Sequence, residues 1–528
     1  MSNNRPDVSI PTDLRLAEVI GAISLATDLG MGNPLEYALC SCVLAVRLGD
    51  ALGLGDEDLR EVYYQALLRY IGCNAETHML SSLAGDEAAV RADFGQIDTG
   101  NIGEVVGVMT RAIRQANAGA SPTHVARMVA RGLLTLPKIK ASFAEHCEVA
   151  QRLGERLGFE GNVVRALGQL YERWDGKGSP RGLKGENVAL SVRVVTIAQD
   201  AITFQRIGGT EAAVAIARKR KGTIYDPNIV ERFCNLAPTL MAQLDEEPSW
   251  DMVLSLEPGK RVYLTEPQFD AACHAMADFT DIKSYYTLNH STGVARIAAD
   301  AARRCRLPDS DVKDIQRAGL LHDLGRISVS TAIWEKPGRL TEREWERVRM
   351  HAYYTERILA HSQTLARLGT MAGMHHERLD GSGYHRGAHA SSLSPAQRIL
   401  AAADVYQAMT ERRAHRPALQ PEAAAAELRR EVHAGRLDSD AVTGVLAAAG
   451  HRVSQARLDM VAGLSSRQVE ILRLLARGNS MKQIAALLTI SEKTVDNHIQ
   501  HIYNKIGVST RAGATLFAME QDLLNPSA

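Results

Sequence analysis

The chain has 528 residues with 61 basic and 61 acidic side chains, and 45% of its residues are hydrophobic and 5% aromatic. This length predicts about three domains, and the composition excludes a disordered or fibrous chain. A formal charge of zero excludes a strongly basic chain, although a small basic unit can be hidden in the average.

The sequence has no feature typical of a secreted or membrane-spanning chain. It contains no run of about 18 uncharged apolar residues, and its start lacks a basic region followed by an apolar one. The seven cysteines are scattered and form no Cys-x-x-Cys pair, which favours reduced thiols buried as small apolar side chains. We therefore expect a cytoplasmic protein with no membrane partner.

Almost every segment has the apolar spacing of three and four residues that is typical of helices, as in the run from Leu16 to Ile23. The exceptions are residues 261–266 (RVYLTE), which alternate like a strand, and two glycine-rich stretches at 175–182 and 380–387. We therefore predict an all-α fold.

The glycine-rich stretches belong to an internal repeat. YERWDGKGSPRG at 171–182 parallels HERLDGSGYHRG at 376–387 with an offset of 205. QALLRYIGC at 65–73 parallels AGLLHDLGR at 318–326 with an offset of 253. The offsets differ by 48, so the first copy carries about 48 additional residues between the two motifs. A unit of this size predicts a duplicated domain.

Polar segments that contain proline or glycine mark the expected domain boundaries. One is EPGKRVYLTEP at 257–267, and the other covers residues 451–463. We therefore expect a first helical domain at 1–257, a second at 268–452 and a compact unit at 464–528.

The two copies differ in chemistry at matching positions. In the first copy, Tyr37 stands in place of His290 and Arg69 in place of His322. Likewise, Tyr70 stands in place of Asp323 and Gln199 in place of Asp404. The first copy keeps the hydrophobic frame but has lost most side chains that could hold a metal, with His146 remaining. We expect it to be a degenerate copy that serves as a scaffold, a dimerisation element or a ligand sensor.

Histidines and aspartates of the second copy are candidate metal ligands. An aspartate inside an apolar helical segment, as in LLHDLG, costs several kcal/mol unless a cation compensates it. Imidazole and carboxylate suit iron, manganese or zinc, and the number of candidates exceeds one tetrahedral site. We expect two or three divalent ions, with iron or manganese preferred. The candidates are His290, His322, Asp323, His351, His375, His376 and Asp404.

From about residue 280 to 452 the second copy resembles the HD-GYP family of metal-dependent phosphohydrolases. The matching segments are YTLNHSTGVA, LLHDLGR, KPGRLTEREWERVRMHAYYTERIL, HHERLDGSGYHRG and AAADVYQAM. The resemblance implies that the seven candidates are metal ligands and that the domain hydrolyses a cyclic dinucleotide, typically cyclic di-GMP. A hydroxide held between metals would attack the phosphodiester in line, with Asp323 and Arg326 as catalytic residues. Arg326, Gly383 and Tyr384 would contact the substrate.

Three positions depart from the family pattern. Arg326 stands where the family has lysine, which keeps a positive charge near the phosphate but loses a proton donor. Residues 383–385 read GYH, so the family's proline is absent and the loop is expected to move more freely. Residues 284–287 read SYYT at the entry to the first histidine, which leaves Asp281 as the upstream acidic candidate.

Residues 464–528 have the pattern of a four-helix helix-turn-helix unit. Ser465 and Gln468 predict a capping box at the start of a helix that Gly478 ends. The short helix MKQIAALL and a turn at 489–491 follow. The next helix has an apolar inner face and a polar outer face, as in a DNA-recognition helix. Its inner face consists of Val495, Ile499, Ile502 and Ile506.

This unit resembles the LuxR-type DNA-binding domain. Matching residues include Leu464, Val469, Leu472, Gly478, Ile484, Thr494, Val495 and Lys505. The unit has seven basic and five acidic residues, so phosphate contacts give modest affinity and we expect a homodimer. A helical protein-interaction module is the alternative.

Amide side chains pair with adenine, so Asn497 and Gln500 are the base-reading candidates, and Asp496 lies on the same face. The expected phosphate contacts are Lys482, Lys493, Thr494, Lys505 and Arg511.

These features favour a transcription regulator and leave three hypotheses for the second copy. It is an enzyme that hydrolyses a cyclic dinucleotide, or a module that binds metal and nucleotide with negligible turnover. In the third hypothesis both copies are dimerisation scaffolds for the DNA-binding unit.

Overall fold

A computed structural model of the chain describes residues 11–77, 81, 86–98, 100–116, 121–242, 244, 249–450, 464, 466–521, 523 and 524. Helices dominate these residues, which confirms the all-α prediction. Within the same ranges, no helix combines the length and the apolar character needed to cross a membrane. The expected boundary at 451–463 and Ser465 of the expected capping box lie outside the described residues.

The first copy is built from helices whose apolar faces meet in a common core. They are α1 (Leu16–Met31), α2 (Tyr37–Ala51), α3 (Asp56–Leu68), α4 (Glu87–Phe94), α5 (Ile102–Ala116), α6 (Pro122–Arg156), α7 (Gly161–Leu167), α8 (Leu190–Arg220), α9 (Pro227–Leu240) and α10 (Ser249–Ser255). Helix α8 bends where Gly208 and Gly209 leave helical geometry. Helices α4, α5 and the start of α6 occupy the additional residues of this copy.

The second copy repeats this arrangement. Its helices are α11 (Glu266–Asp281), α12 (His290–Arg304), α13 (Asp309–Leu321), α14 (Thr331–Trp334), α15 (Glu342–Leu359), α16 (Gln363–Ala372), α17 (Pro395–Thr410), α18 (Pro421–His433) and α19 (Ser439–Ala448). Helices α12 and α13 begin and end 253 residues after α2 and α3. The offset read from the sequence is therefore reproduced by the structure.

Two equivalent glycines show how closely the copies correspond. A Cβ at Gly72 would lie 2.0 Å from the carbonyl oxygen of His146, and one at Gly325 would lie 2.0 Å from that of His351. Each glycine lets the turn after the third helix touch the backbone of the helix that carries the histidine. The pocket positions of the two copies can therefore be compared residue by residue.

The two copies pack against each other reciprocally. Helix α1 of the first copy contacts α15 of the second, and α11 of the second contacts α6 of the first. Asn74 Nδ2 also donates to the carbonyl oxygen of Phe279 at 2.8 Å. One hydrophobic core runs through both copies, so they form a single internal pseudo-dimer.

A short sheet joins the start of the chain to the junction between the copies. Strand β2 (Tyr263–Thr265) confirms the strand expected at 261–266 and pairs antiparallel with β1 (Pro11–Arg15), which the sequence did not predict. The backbone N–H of Leu16 also donates to the carbonyl of Val262 at 2.8 Å.

The additional residues of the first copy reach the second copy through Glu87. Its carboxylate accepts hydrogen bonds from Ser330 Oγ at 2.6 Å and from the backbone N–H of Thr331 at 2.9 Å. Lys283 Nζ lies 3.4 Å from the same carboxylate. All three contacts lie close in sequence to the predicted metal ligands His290 and Asp323.

The C-terminal unit has the four helices that the sequence predicts. They are α20 (Ser466–Ala476), α21 (Met481–Leu488), α22 (Glu492–Ile506) and α23 (Arg511–Glu520). The unit packs on α6 of the first copy. Arg152 Nη2 donates to the carbonyls of Ile506 and Gly507 at 3.2 and 2.9 Å, and Glu148 accepts from the Ser509 backbone at 2.9 Å.

Candidate metal centre and DNA-reading face

The seven predicted ligands come from five places in the second copy and converge on one point. His290 opens α12, His322 and Asp323 follow the end of α13, and His351 lies in α15. His375 and His376 follow α16, and Asp404 lies in α17. Six of the seven are buried, and His376 is partly exposed.

Asp323 stands between two groups of imidazoles. Its Oδ1 atom lies 3.4 Å from His351 Nε2 and 3.7 Å from His375 Nε2. Its Oδ2 atom lies 3.5 Å from His322 Nε2 and 3.7 Å from His290 Nε2. The two carboxylate oxygens therefore face two different sets of nitrogen ligands.

Asp404 completes one of these sets. Its Oδ1 atom lies 3.3 Å from His290 Nε2 and 3.7 Å from His322 Nε2, and its Oδ2 atom lies 3.8 Å from His376 Nδ1. The ligand atoms of His290, His322 and Asp404 lie within 4.8 Å of one another. The same limit holds for the set of His351, His375 and His376.

Backbone carbonyls fix the orientation of three of the imidazoles. Nδ1 of His322 donates to the carbonyl of Gly319 at 2.7 Å, and Nδ1 of His375 donates to that of Ala372 at 2.7 Å. His351 makes the same bond to the carbonyl of Val348. In each case the bond leaves the Nε2 lone pair directed at the centre, which is the tautomer that binds a metal.

His290 is oriented differently because it begins its helix and has no preceding helical carbonyl. Its Nδ1 atom lies 2.9 Å from Glu411 Oε2. Arg413 Nη2 donates to Glu411 Oε2 at 2.9 Å, and Gln407 Nε2 donates to Glu411 Oε1 at 2.7 Å. Glu411, which the sequence did not single out, thus holds His290. No motif in the sequence pointed to it, because its role depends on how α17 packs against α12.

The charges of the centre suit cation binding. Burial tends to raise the pKa of Asp323, but Arg326 and the histidines hold it well below its usual range. Burial and the neighbouring His322 lower the pKa of His375 to about 3. Against the effect of burial, Glu411 and Asp404 raise the pKa of His290 to about 10. A metal would therefore displace a proton from His290 and meet Asp323 and His375 already deprotonated.

The donor set fits the divalent ions expected from the sequence. Nε2 of His322 is buried and has no hydrogen-bond partner in the part of the chain that the structure describes. Buried carboxylates and imidazoles facing one another are stable when a cation lies between them.

Arg326 and the loop at 383–385 border the ligands. Arg326 Nη1 donates to Asp323 Oδ2 at 2.8 Å, and its guanidinium lies 3.8 Å from the centre of the Trp334 ring. The ring of Tyr384 lies 4.6 Å from that of His376. A Cβ at Gly383 would lie 2.4 Å from the Cα of Glu377, so glycine is required for the loop to approach the ligand segment.

Contacts to α15 anchor the loop, although the sequence predicts freer movement. His385 Nε2 lies 3.5 Å from Glu356 Oε2, and Arg386 pairs with the same carboxylate at 2.5 Å. Glu377 also accepts hydrogen bonds from the backbone N–H groups of Arg386 and Ala388 at 2.7 and 2.8 Å.

Asp281, the upstream acidic candidate, has a structural partner instead. It accepts hydrogen bonds from the backbone N–H and the hydroxyl of Ser291 at 2.9 and 2.8 Å. In the first copy the equivalent Asp28 accepts from the backbone N–H of Ala38. Because the copy without the metal-ligand set keeps this bond, the carboxylate serves the start of the second helix in both copies.

The C-terminal unit presents one polar helix face. Thr489 adopts a left-handed backbone with φ 54°, and Ser491 caps α22 by accepting from the Thr494 N–H at 3.1 Å. Val495, Ile499, Ile502 and Ile506 are buried as expected. The exposed DNA-binding candidates are Lys482, Lys493, Thr494, Asp496, Asn497, Gln500 and Lys505.

Two of the predicted phosphate contacts have partners within the protein. Lys505 Nζ donates to Gln468 Oε1 at 2.8 Å. Arg511 is half-buried and donates to the carbonyls of Leu475 and Asn479 at 2.6 and 2.9 Å. Since α20 ends at Ala476 and its last carbonyls need donors, Arg511 serves the end of that helix.

Two known protein families match different parts of this chain. The HD domain family matches residues 109–229 and 275–441, and the luxR family of bacterial regulatory proteins matches 462–518. The chain belongs to the HD domain family. Its C-terminal unit is a LuxR-type helix-turn-helix domain.

The chain is similar to several phosphodiesterases. It is 30% identical over 427 residues to 3'3'-cGAMP-specific phosphodiesterase 3 of Vibrio cholerae serotype O1, a match that covers 79% of this chain and 91% of the relative. It is 38% identical over 132 residues to a cyclic di-GMP phosphodiesterase of Pseudomonas aeruginosa, covering 25% of this chain and 32% of that one. The crystal structure of a cyclic GMP-AMP-specific phosphodiesterase of V. cholerae matches with TM-score 0.57 and 27% identity, covering 82% of this HD protein and 97% of that chain.

Proposed function

We propose that the second copy is a metal-dependent phosphodiesterase that hydrolyses a cyclic dinucleotide. The observation that supports this most directly is the position of Asp323, whose two oxygens face separate imidazole sets at 3.4–3.7 Å. A bridging aspartate between two nitrogen sets is the arrangement that holds two metal ions side by side.

The residues divide into two metal-binding groups. His290, His322 and Asp404 would hold one ion, His351, His375 and His376 would hold the other, and Asp323 would lie between them. The ions, iron or manganese in our proposal, supply a nucleophilic hydroxide and neutralise phosphate charge. Arg326 binds a non-bridging phosphate oxygen, and Tyr384 lines the pocket beside His376.

We propose 3'3'-cyclic GMP-AMP as the first substrate to test and cyclic di-GMP as the second. A relative that overlaps 79% of this chain is named for cyclic GMP-AMP, while the match to a cyclic di-GMP enzyme of P. aeruginosa covers 25% of it. The sequence resemblance on its own favoured cyclic di-GMP.

The LuxR-type unit is proposed to bind DNA as a homodimer in the cytoplasm. Asn497 and Gln500 would read bases, and Asp496 lies on the same exposed face. Lys482, Lys493, Thr494 and Lys505 would contact phosphates, and Arg511 is omitted because of its internal bonds.

The two activities are linked through Tyr285. Its ring lies against Gly478, where a Cβ would come within 2.8 Å of it, and the Arg511 guanidinium lies 5.7 Å from the ring centre. Tyr285 precedes His290 by five residues. A change at the metal centre can therefore be transmitted to the DNA-binding unit by a short segment of chain.

The decisive experiment measures turnover by the purified full chain loaded anaerobically with Fe(II) or Mn(II). Wild-type protein should linearise the dinucleotide, and Asp323→Ala should abolish turnover and metal content together. Asp300→Ala is the matched control, since Asp300 is a partly exposed aspartate on α12 paired with Arg303. Intact cyclic GMP-AMP and cyclic di-GMP after incubation with metal-loaded wild type would refute the proposal.

The second candidate is a nucleotide-binding module with negligible turnover. It is favoured by Arg326, because a guanidinium, unlike the family's lysine, does not give up its proton to a leaving group. The Arg326 side chain is held in place by Asp323 and Trp334. Saturable nucleotide binding that alters DNA affinity without hydrolysis would establish this candidate in place of the enzyme.

A further inference from the structure

The pocket of the first copy is equivalent to the metal centre but has the opposite charge. Three carboxylates of the second copy, Asp323, Asp404 and Glu411, correspond to Tyr70, Gln199 and Arg206. His322 corresponds to Arg69 and His290 to Tyr37. The set of five positions thus changes from three potential anions to two fixed cations.

The local structure around these positions is preserved, so the two copies can be compared in three dimensions as well as in sequence. Glu172 accepts from the backbone N–H groups of Arg181 and Leu183 at 2.7 and 2.9 Å, as Glu377 does at positions 205 residues later. Tyr37 Oη donates to the carbonyl of Gln199 at 2.9 Å, so the equivalents of His290 and Asp404 still meet.

Arg69 lies near Tyr37, and no ion pair of its guanidinium is found among the described residues. Its Nε and Nη1 atoms are buried and have no hydrogen-bond partner among the described residues. Asp200, beside Gln199, is occupied by Arg220 at 2.5 Å and by the Tyr225 hydroxyl. A buried guanidinium without an anion is costly unless a ligand supplies the charge.

A second guanidinium and a ring complete the pocket. Arg206 is exposed, and its guanidinium lies 5.5 Å from the centre of the Tyr37 ring. The charge of Arg69 also lies close enough to Tyr37 to act on the pKa of its hydroxyl. Arg69 and Tyr70 are partly exposed, whereas Leu67, Leu68 and Ile71 around them are buried. Both arginines therefore have solvent-accessible surface through which a ligand can reach them.

We infer that the first copy is a metal-independent binding site for a phosphate-bearing nucleotide, held by Arg69 and Arg206. The guanidinium fork matches phosphate oxygens, and the partly exposed Tyr70 lies at the position equivalent to Asp323. The choice of a nucleotide rests on the proposed function, since the substrate and its linear product share this phosphate chemistry. The site would report either of them to the DNA-binding unit, which packs on α6 of the same copy.

The test uses metal-free full-length protein prepared with a chelator. Without the ions the second copy lacks the cations proposed to hold the phosphates there, so binding that persists reports on the first copy. Separate calorimetric titrations with 3'3'-cyclic GMP-AMP and with its 5'-phosphorylated linear dinucleotide distinguish substrate from product as the ligand. We expect one saturable site per chain for at least one of them.

Variants locate the site. Arg69→Gln should weaken binding at least tenfold, while the exposed Arg165→Gln should leave it unchanged. Arg69→Met should also retain the melting temperature of the free protein, because it removes an uncompensated charge, yet lose the ligand-induced rise.

No saturable binding by metal-free wild type, or equal binding by Arg69→Gln, would overturn the inference. Either result is independent of the proposed enzyme activity, which is measured as turnover by metal-loaded wild type. Turnover without this binding would support the proposed enzyme and refute the binding site in the first copy. Binding without turnover would support the binding site and refute the proposed enzyme.

Discussion

His290 Nδ1 lies 2.9 Å from Glu411 Oε2, across 121 positions of sequence, and this carboxylate does for His290 what backbone carbonyls do for His322 and His375. The equivalent pair in the first copy is Tyr37 and Arg206, whose guanidinium lies over the phenol ring. Both members of the pair have therefore changed together, as expected if they act as a unit.

Glu411→Gln should lower metal affinity by about 10- to 100-fold, because the amide cannot hold His290 Nδ1–H as a carboxylate does. The measurement is metal content per chain after dialysis against a graded chelator, with turnover as the second readout. Glu411→Asp should recover part of the affinity, and Glu422→Gln, on the exposed start of α18, is the control. Full metal content in Glu411→Gln would show that Glu411 does not position His290.

Arg326→Ala should reduce kcat by about 10²-fold or more, since a cation directed at a phosphate oxygen contributes that much to such reactions. Metal content should persist because Arg326 is not a ligand. Arg326→Lys should retain more activity than Arg326→Ala, since the charge remains although stacking on Trp334 is weakened. Exposed Arg339→Ala is the control, and unchanged kcat in Arg326→Ala would exclude a role for Arg326 in the reaction.

The helical fold, the duplication and the cluster of seven ligand candidates were readable from sequence for a common reason. Each depends on local spacing or on motifs short enough to survive duplication, such as LLHDLGR beside QALLRYIGC. Glu411 was not readable, because a glutamate followed by two arginines resembles a solvated charge cluster. Its role depends on the packing of α17 against the start of α12.

The C-terminal unit also contains contacts that its sequence does not predict. Helical periodicity predicted the buried face of α22 correctly, from Val495 to Ile506. It could not predict that Arg511, beyond that helix, donates to the carbonyls of Leu475 and Asn479, since helix-end bonds depend on how α20 and α23 meet. The contact between Tyr285 and Gly478 joins distant segments in the same way.

Glu87→Gln should reduce the free energy of unfolding by about 3 kcal/mol at neutral pH, because it leaves the buried Lys283 ammonium unpaired. Burial acts to raise the pKa of Glu87, but Lys283 and the bonds from Ser330 and Thr331 bring it below its ordinary value. The stabilisation is therefore fully present above about pH 4.5 and is lost as the pH falls through the lower, folded-state pKa.

Denaturant unfolding of wild type and Glu87→Gln across pH 3–7 tests this prediction. The difference between the two free energies of unfolding should be largest near pH 7 and shrink as the pH falls below about 4.5 toward the folded-state pKa of Glu87. Exposed Glu186→Gln is the control. A difference that does not depend on pH would mean that the ion pair between the copies contributes nothing.

Gln500→Ala and Lys493→Ala should weaken DNA binding in different ways. Both side chains are exposed on α22, but an amide distinguishes bases whereas an ammonium contacts phosphate. Gln500→Ala should cost about 1–3 kcal/mol at selected sites and little elsewhere. Lys493→Ala should weaken binding to all DNA sequences alike and reduce the slope of log affinity against log salt by about 1.

The measurement first selects binding sites from a random DNA library with the full-length protein. Titrating selected and unrelated DNA at several salt concentrations then separates the two effects, with Lys313→Ala as the control. Equal losses on selected and unrelated DNA for Gln500→Ala would place Gln500 among the phosphate contacts.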